Sequence, residues 1–276
     1  MPRIRLTLAY DGTNFAGWQV QPGQRTVQGV LERALAPLLV RRGVPAPTPR
    51  IHGSGRTDSG VHAVGQVAHV DVPEHRRGFP WQKALNATLP PDVRVVAAAE
   101  VGNDFHARFS ARSKTYAYTL WIDPAYVLPQ RARYVWQCGP LDLDAMDRAA
   151  ALLLGEHDFA AFRNTGTDTE STIRTLYRID RSTGLHPAEC VLRFCASGFL
   201  KQMVRNLTGC LVAVGRGKAG PENIRSYLKE GDRSAAPATA PAQGLCLEWV
   251  EYPKAPAQGG HGDEHQMGPD RSPAPR

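Results

Sequence analysis

The sequence predicts an α+β fold made of two similar, α/β-sandwich-like units that share or extend one mostly antiparallel sheet. The first observation is that residues 1–104 follow the order strand, helix, strand, helix, strand. The second is that residues 105–252 again combine several strands with amphipathic helices. Such strands and helices each have one apolar side, and packing the helices on the sheet buries the apolar sides of both kinds of element. No residue-level repeat relates the two stretches, so their similarity is inferred from element order alone.

Three strands and two helices are predicted in the first unit. The strands alternate apolar and polar residues, which is the period of a half-buried strand. The first helix starts after Thr26, whose side chain suits an N-cap, and the second ends before two prolines. The strands cover 4–10, 64–72 and 93–101, and the helices cover 27–38 and 81–89.

The second unit contains the strongest helical pattern of the chain, from Phe199 to Val214. Its apolar side, which we expect to be buried, consists of Leu200, Met203, Val204, Leu207, Leu211 and Val214. Lys201, Arg205 and Thr208 share the opposite side, and Gly215 is expected to cap the C-terminus. The other predicted elements are strands near 116–120, 173–179, 189–194 and 245–252, a helix capped by Asp142, and a helix over 221–228.

From Pro253 onward, proline, glycine, histidine and charged residues replace the apolar pattern. Such a segment cannot bury enough apolar surface to order itself. The predicted organisation is therefore an N-terminal unit over 1–104, a C-terminal unit over 105–252 and a flexible tail over 253–276.

The charge balance of the chain favours a polyanionic partner. Lys and Arg number 33 against 26 Asp and Glu, a net charge of +7, and basic side chains displace the counterions that condense on phosphates. The alternative is a protein that is basic without binding a polyanion, and composition alone leaves it open.

The cysteines and the N-terminus indicate the cellular compartment. The five cysteines show no C-x-x-C spacing, which argues against a zinc site or a disulfide framework and favours reduced, mostly buried thiols. The N-terminus leads directly into a strand without a signal-peptide pattern, and no apolar run is long enough to span a bilayer. We therefore expect a soluble, cytoplasmic protein.

The stretch with the clearest chemical pattern is Gly-Arg-Thr-Asp-Ser-Gly-Val-His-Ala at residues 55–63, here called the Asp58 loop. Its glycines permit a tight turn and a close approach to a ligand. Because a nearby cation favours the ionised form of a carboxyl group, Arg56 is expected to keep Asp58 charged, as a nucleophile or general base must be. Asp, Ser and Gly also favour ordinary turns, so the bare residues leave both interpretations open.

Two other patterns point away from common enzyme classes. Gly215 to Gly220 match G-x-G-x-x-G but follow a helix rather than a strand, so we reject a dinucleotide site. Asp58, Ser59 and His62 are too close in sequence to form a hydrolase triad easily, and no G-x-S-x-G motif is present. This favours His62 as a hydrogen-bonding residue of the loop over His62 as a catalytic base.

Two residues of the second unit are candidates for a binding site. Tyr116, two residues after Lys114, is either a buried strand aromatic or a ring against which an extruded base stacks. Arg205 is either solvated or faces a cleft. The apolar turns around it favour the cleft, where a carboxylate would be its natural partner.

Together these stretches resemble the tRNA pseudouridine synthase A family, over nearly the whole chain up to about Tyr252. Tyr10-Asp11-Gly12-Thr13 with Gly17-Trp18-Gln19 is similar to its N-terminal signature, and the Asp58 loop is similar to its catalytic loop. The other similar motifs, in the family's order and spacing, are Phe-His-Ala-Arg at 105–108, Lys-Thr-Tyr-Ala-Tyr at 114–118, His-Asp-Phe at 157–159, Met-Val-Arg-Asn at 203–206 and Ala-Pro-Ala-Gln-Gly-Leu at 240–245. Ser59 stands where the family usually has alanine, and both are small.

The resemblance implies the pseudouridine synthase fold and the isomerisation of uridine to pseudouridine in the anticodon stem-loop of tRNAs, at tRNA positions 38 to 40. It implies a homodimer that binds tRNA across both subunits, and no metal or organic cofactor. Carried over to the matching residues, it makes Asp58 the nucleophile, Tyr116 the residue that packs against the target base, and Arg205 the ionic partner of Asp58. It also implies that Arg56 and Leu245 line the same pocket.

Two hypotheses from other classes stand beside this one. The first is a non-catalytic tRNA-binding or chaperone protein that uses the same basic cleft, with Asp58 as a turn residue only. The second is a metal-dependent nuclease, which the absence of clustered acidic ligands in the sequence weakens.

Overall fold

The computed structural model describes residues 1–40, 49–166 and 169–253 of the 276-residue chain. Apart from Pro253, the predicted flexible tail over 253–276 lies outside the described residues. Among the helices of the described part, none combines the length and the apolar character that crossing a membrane requires.

Within these described ranges, ten strands form one continuous sheet. Strand β1 illustrates the alternating pattern on which the strands are built. Its even-numbered residues are buried, and its odd-numbered residues are partly exposed. In chain order the strands are β1 (Arg3–Tyr10), β2 (His52–Gly53), β3 (His62–Asp71), β4 (Val93–Val101), β5 (Ser113–Trp121), β6 (Trp136–Gln137), β7 (Gly155–Asp158), β8 (Ile173–Thr183), β9 (Glu189–Ala196) and β10 (Leu245–Glu251). The short strands β2, β6 and β7 were not predicted, since two to four residues cannot show an alternating pattern.

In the part of the chain that the structure describes, five α-helices accompany the sheet, and two of them begin at the predicted caps. The Thr26 side chain accepts a hydrogen bond from the Gly29 amide, and the Asp142 side chain accepts one from the Ala145 amide. The helices are α1 (Val27–Leu35), α2 (Trp81–Asn86), α3 (Leu143–Ala151), α4 (Met203–Gly215) and α5 (Asn223–Glu230).

The order of the strands joins the two halves of the chain. Across the sheet it is β4-β1-β3-β10-β5-β9-β8-β7, with β2 beside β3 and β6 beside β5. The last strand, β10, is inserted between β3 of the first half and β5 of the second. Among the described strands only the pairs β3–β10 and β5–β6 are parallel, so the predicted shared, mostly antiparallel sheet is confirmed. One hydrophobic core runs through both halves, and their division at residue 104 stays a prediction.

Helix α4 begins at Met203, four residues later than predicted. The reason is Gln202, whose left-handed backbone, with φ 60° and ψ 10°, interrupts a right-handed helix. The predicted apolar side is confirmed, since all six of its residues are buried. Thr208 was expected on the opposite, exposed side, but it is fully buried. Its hydroxyl donates a hydrogen bond to the Val204 carbonyl at 2.8 Å, so the buried polar group has a partner within the helix.

The prediction that Gly215 caps α4 is wrong. Gly215 is the last helical residue and packs against α3, where an added Cβ would lie 2.7 Å from the Met146 sulfur. The left-handed glycine that follows the helix is Gly217, with φ 67°. Gly215 therefore serves close helix packing, and Gly217 serves the change of chain direction.

The glycine at position 65 allows β3 and β10 to lie close together where the two halves of the sheet meet. A Cβ added at Gly65 of β3 would lie 2.0 Å from the carbonyl oxygen of Glu248 in β10. We expect Gly65→Ala to lower the free energy of unfolding by about 2 kcal/mol, because the two strands must separate to admit the methyl group. Urea denaturation measures this.

Val64→Ala is the matched control for this prediction. The Val64 side chain is 58% exposed and projects from the opposite face of β3. Its truncation should lower the free energy of unfolding by less than about 1 kcal/mol. Equal losses in the two variants would contradict the close approach of β3 and β10 at Gly65.

Candidate active site

The Asp58 loop is held in place by the N-terminal stretch of the chain. The Trp18 amide donates a hydrogen bond to the Thr57 carbonyl at 3.0 Å. The Thr57 hydroxyl lies 2.8 Å from the hydroxyl of Tyr10, and both groups are buried. These contacts fix the backbone next to Asp58 without the help of a ligand, which favours a pre-organised site.

Two glycines allow the N-terminal stretch to lie this close to the loop. A Cβ at Gly12 would lie 2.0 Å from the Val61 carbonyl oxygen. A Cβ at Gly17, whose φ is 91°, would lie 2.6 Å from the Thr57 carbonyl oxygen. Any larger residue at either position would push the loop away, so the glycines of the N-terminal signature are needed for support of the loop.

Asp58 faces Arg205, which lies in the first turn of α4. One guanidinium nitrogen, Nη1, lies 3.5 Å from the carboxylate oxygen Oδ2 of Asp58. The side chain of Asp58 is 28% exposed, and that of Arg205 is 15% exposed. The pair is thus partly buried and still open to a ligand on one side, and it is longer than a tight charge-assisted hydrogen bond.

Burial raises the pKa of Asp58 above its ordinary value, and two cations oppose the shift, Arg205 first and Lys201 after it. Burial favours the neutral carboxyl group, whereas a nearby cation favours the carboxylate. The expectation that Arg56 keeps Asp58 charged is therefore wrong. Arg56 is exposed to water, which screens its charge, and the cations that act on Asp58 come from the other half of the chain.

The segment 232–241 orients Arg205. Arg205 Nε donates a hydrogen bond to the Ala240 carbonyl at 2.7 Å, and the Ala240 amide donates one back to the Arg205 carbonyl at 3.1 Å. Because both bonds join Arg205 to the same residue, the direction of its guanidinium towards Asp58 depends on where this segment lies.

Arg233 in turn fixes the segment 232–241 to α4. Its Nη1 donates to the Ala236 carbonyl at 3.1 Å, and its Nη2 donates to Oδ1 of Asn206, also at 3.1 Å. Asn206 is buried and directly follows Arg205 in the helix. Sequence analysis missed Arg233, because an arginine among small residues looks like a solvated surface charge.

Tyr116 provides an uncharged ring beside Asp58. Its ring packs edge-on against Phe199, with 5.2 Å between the ring centroids, and only 7% of the residue is exposed. Burial raises the pKa of the Tyr116 hydroxyl, and the nearby Tyr10 and Asp58 raise it further. The phenol therefore remains neutral at physiological pH. Sequence analysis missed Phe199 as a site residue, because it was assigned to the helix.

The two remaining predicted site residues lie at the margin of this arrangement. Leu245 is buried at the start of β10, opposite Tyr118 of β5, while Leu247 lies opposite Tyr116. Arg56 is exposed on the loop, and among the described residues its side chain makes no hydrogen bond or salt bridge. The structure thus brings Asp58, Tyr116 and Arg205 together, places Leu245 two residues along β10 from the partner of Tyr116, and leaves Arg56 at the surface.

His62 uses both ring nitrogens in structural contacts. Nδ1 accepts a hydrogen bond from the Gly12 amide at 3.0 Å, so Nε2 carries the proton and donates to the Arg133 carbonyl, also at 3.0 Å. Burial lowers the pKa of His62, and this effect is larger than the opposing one of Asp11. The structure therefore supports the hydrogen-bonding role over that of a catalytic base.

The site combines a partly buried carboxylate, a guanidinium and a flat aromatic surface. A carboxylate in this setting can act as a nucleophile towards an uncharged planar group held against the ring. Within residues 1–40, 49–166 and 169–253, no group of three or more His, Cys, Asp or Glu residues could hold a metal ion.

Comparison with known proteins identifies the relatives of the chain. A sequence model described as tRNA pseudouridine synthase matches residues 7–110 and 149–253. The tRNA pseudouridine synthase A of Solidesulfovibrio magneticus is 60% identical over 91% of this chain and 92% of its own length. The proteins of the same name from Maridesulfovibrio salexigens (56% identity, 91% of both chains) and Geobacillus kaustophilus (44% identity, 91% of this chain and 94% of the relative) are also similar.

The Asp58–Arg205 pair makes a prediction about the pKa of Asp58. Arg205→Met removes the cation that lowers this pKa most, so the pKa should rise above its wild-type value, which burial has already raised. NMR titration of the carboxyl carbon of Asp58 in isotopically labelled protein measures it. Arg216→Met, at the opposite end of α4, is the control and should leave the pKa of Asp58 unchanged.

The contacts of Arg233 predict a second, smaller rise of the pKa of Asp58. Arg233→Met releases the segment 232–241, so Arg205 loses its fixed direction and the pKa of Asp58 should rise by less than it does in Arg205→Met. The same NMR titration tests this. A pKa identical to that of the wild type, in a folded variant, would show that the segment does not position Arg205.

Proposed function

We propose a specific reaction for this chain, which belongs to the tRNA pseudouridine synthase family and is an isomerase that acts on tRNA. The proposed reaction converts uridine to pseudouridine in the anticodon stem-loop, with Asp58 as the nucleophile. The observation that carries the proposal is that Asp58 pairs with Arg205 and lies near the ring of Tyr116, on a loop that hydrogen bonds within the protein hold in place.

The proposed reaction breaks the glycosidic bond between N1 of uracil and the ribose, turns the base, and joins C5 of uracil to the same ribose carbon. The proton of C5 leaves to water and N1 regains one, so the reaction is balanced without any redox step. In this proposal Asp58 acts as the carboxylate, Arg205 holds it in that form, and the base lies against Tyr116 throughout.

A uridine in a stem or a stacked loop must leave its stack to reach this pocket. Extrusion of a base requires a few kcal/mol, which contacts inside the pocket and to the RNA backbone must offset. The buried, uncharged ring of Tyr116 suits a flat base better than solvent does. The excess of basic residues suits the phosphates of the RNA, contacts that position the substrate without reading its sequence.

We further propose that the protein acts as a cytoplasmic homodimer and that one tRNA contacts both subunits. Support for this comes from the resemblance of its motifs to the tRNA pseudouridine synthase A family. Light scattering of the purified protein, alone and with one tRNA per dimer, tests it. A monomer that retains full activity would refute the shared-substrate arrangement.

The role of Asp58 is tested by Asp58→Asn, which keeps the size of the side chain and removes its charge. Pseudouridine formation in an unmodified tRNA transcript should fall at least about 1,000-fold, because a neutral amide cannot attack as the carboxylate does. Affinity for tRNA should stay within about threefold, because the phosphate contacts remain. Tritium release from uracil C5 measures the rate, and filter binding measures the affinity.

Asp104→Asn is the matched control, since Asp104 is an exposed aspartate in a connection of the sheet. It should leave both rate and affinity unchanged. Near-normal turnover by Asp58→Asn would disprove the assignment of Asp58 as the nucleophile. Binding without turnover by the wild-type protein would favour a tRNA-binding protein that is not an enzyme.

A further inference from the structure

Among the described residues, three basic side chains near the proposed pocket have no acidic partner. Other basic residues of the second half pair with carboxylates, such as Arg181 with Asp147 and Arg193 with Glu248. In the part of the chain that the structure describes, Arg108, Lys114 and Arg174 form no salt bridge. We call these three residues the cation cluster.

Lys114 lies on the same face of β5 as Tyr116, two residues before it. Its ammonium group donates one hydrogen bond, to the Ser54 carbonyl at 2.6 Å, and a Cβ at Gly55 would lie 3.0 Å from it. Lys114 therefore lies beneath the start of the Asp58 loop. An ammonium group has three donors, and within the described residues the other two have no acceptor.

Arg174 lies beside Gly198, the residue before Phe199. Its Nη1 donates to the carbonyls of Ser171 and Ile173, at 3.0 and 2.6 Å. Its Nε lies against Gly198, 3.7 Å from where a Cβ would be, and the next residue, Phe199, packs on Tyr116. The edge of the guanidinium that carries Nε and Nη2 makes no hydrogen bond to any described residue.

The register of the sheet brings two members of the cation cluster near one another, because Ala196 of β9 pairs with Lys114 of β5 on one side and with Leu176 of β8, two residues after Arg174, on the other. Burial, followed by the charges of Arg108 and Arg174 in that order, lowers the pKa of Lys114 to about 8. Burial also lowers the pKa of Arg174, with Arg108 again contributing. Three cations that repel one another and lack a carboxylate are an arrangement that a bound anion would stabilise.

We propose that the cation cluster of Arg108, Lys114 and Arg174 binds a backbone phosphate of the tRNA directly next to the target uridine. The inference rests on the function proposed above. A phosphate offers several acceptor oxygens, which match the free ammonium donors of Lys114 and the free guanidinium edge of Arg174. Because the Lys114 ammonium group also bonds to Ser54 and lies against Gly55, where the Asp58 loop begins, the same phosphate contact fixes the nucleotide relative to the nucleophile.

Salt dependence of tRNA binding tests whether the cluster contacts phosphate. Binding is measured from about 50 to about 200 mM KCl with every variant also carrying Asp58→Asn, so that turnover does not contribute. Lys114→Met and Arg174→Met should each weaken binding about tenfold. Each should also reduce the slope of log affinity against log salt by about one, the change expected for one lost phosphate contact.

Two matched controls remove the same charges elsewhere. Lys83→Met changes an exposed lysine of α2, which packs on the far edge strand β4, and Arg178→Met changes an exposed arginine of β8 that pairs with Asp180. Both should leave the slope unchanged. If Lys114→Met fails to fold because it loses the Ser54 contact, Arg174→Met and Arg108→Met still test the cluster.

Methylphosphonate substitution locates the phosphate. A tRNA with a single uncharged methylphosphonate linkage, on either the 5′ or the 3′ side of the target uridine, is compared with the unmodified tRNA. One of the two substitutions should weaken binding to the Asp58→Asn protein about tenfold. It should weaken binding to the protein that also carries Lys114→Met by less than about twofold. Equal losses in both proteins, or an unchanged salt slope in all three cluster variants, would overturn the inference.

The outcomes separate this inference from the proposed function. If wild-type protein makes no pseudouridine, the proposed function fails, whatever the salt slopes are. If wild-type protein makes pseudouridine and the cluster variants bind tRNA with the wild-type slope, only the phosphate site fails.

Discussion

The interaction on which the rest of this structure depends is the partly buried pair of Asp58 and Arg205, because the proposed reaction requires Asp58 to stay charged. Burial of Asp58 excludes competing water but favours the protonated form, and Arg205 and Lys201 oppose that preference. A cation has this effect only when it is held at short range. The support of the Asp58 loop and the support of Arg205 are therefore both parts of one electrostatic arrangement.

The continuous sheet is what brings the two sides of this arrangement together. Asp58 precedes β3 in the first half of the chain, whereas Tyr116 lies on β5 in the second. Strand β10 pairs with both β3 and β5, so the last strand of the fold fixes the distance between the loop and the ring. The close contact at Gly65 belongs to the same junction, which links the packing of the sheet to the geometry of the site.

The sequence predicted most of the fold, because its strands alternate and its long helices have clear apolar sides and caps. It failed where tertiary contacts override local preference. Gly215 lies against Met146 rather than at a cap, and Gln202 adopts a left-handed conformation that no local pattern indicates. In the site, motif resemblance named residues that the fold brings together, but it gave no sign of Arg233, whose importance lies in hydrogen bonds to residues distant in sequence. Proximity in sequence also misled, since Arg56 is exposed.

The pH dependence of kcat/KM for pseudouridine formation tests the central claim most directly, because this ratio reports the ionisation of the free enzyme. If ionised Asp58 is the nucleophile, kcat/KM must fall as the pH falls through the pKa of Asp58, which lies above the ordinary value for aspartate. The midpoint of this fall should coincide with the pKa measured for the Asp58 carboxyl group by NMR, and in Arg205→Met both should move to higher pH together. A midpoint that stays fixed while the pKa of Asp58 moves would contradict the claim that the Asp58–Arg205 pair drives the reaction.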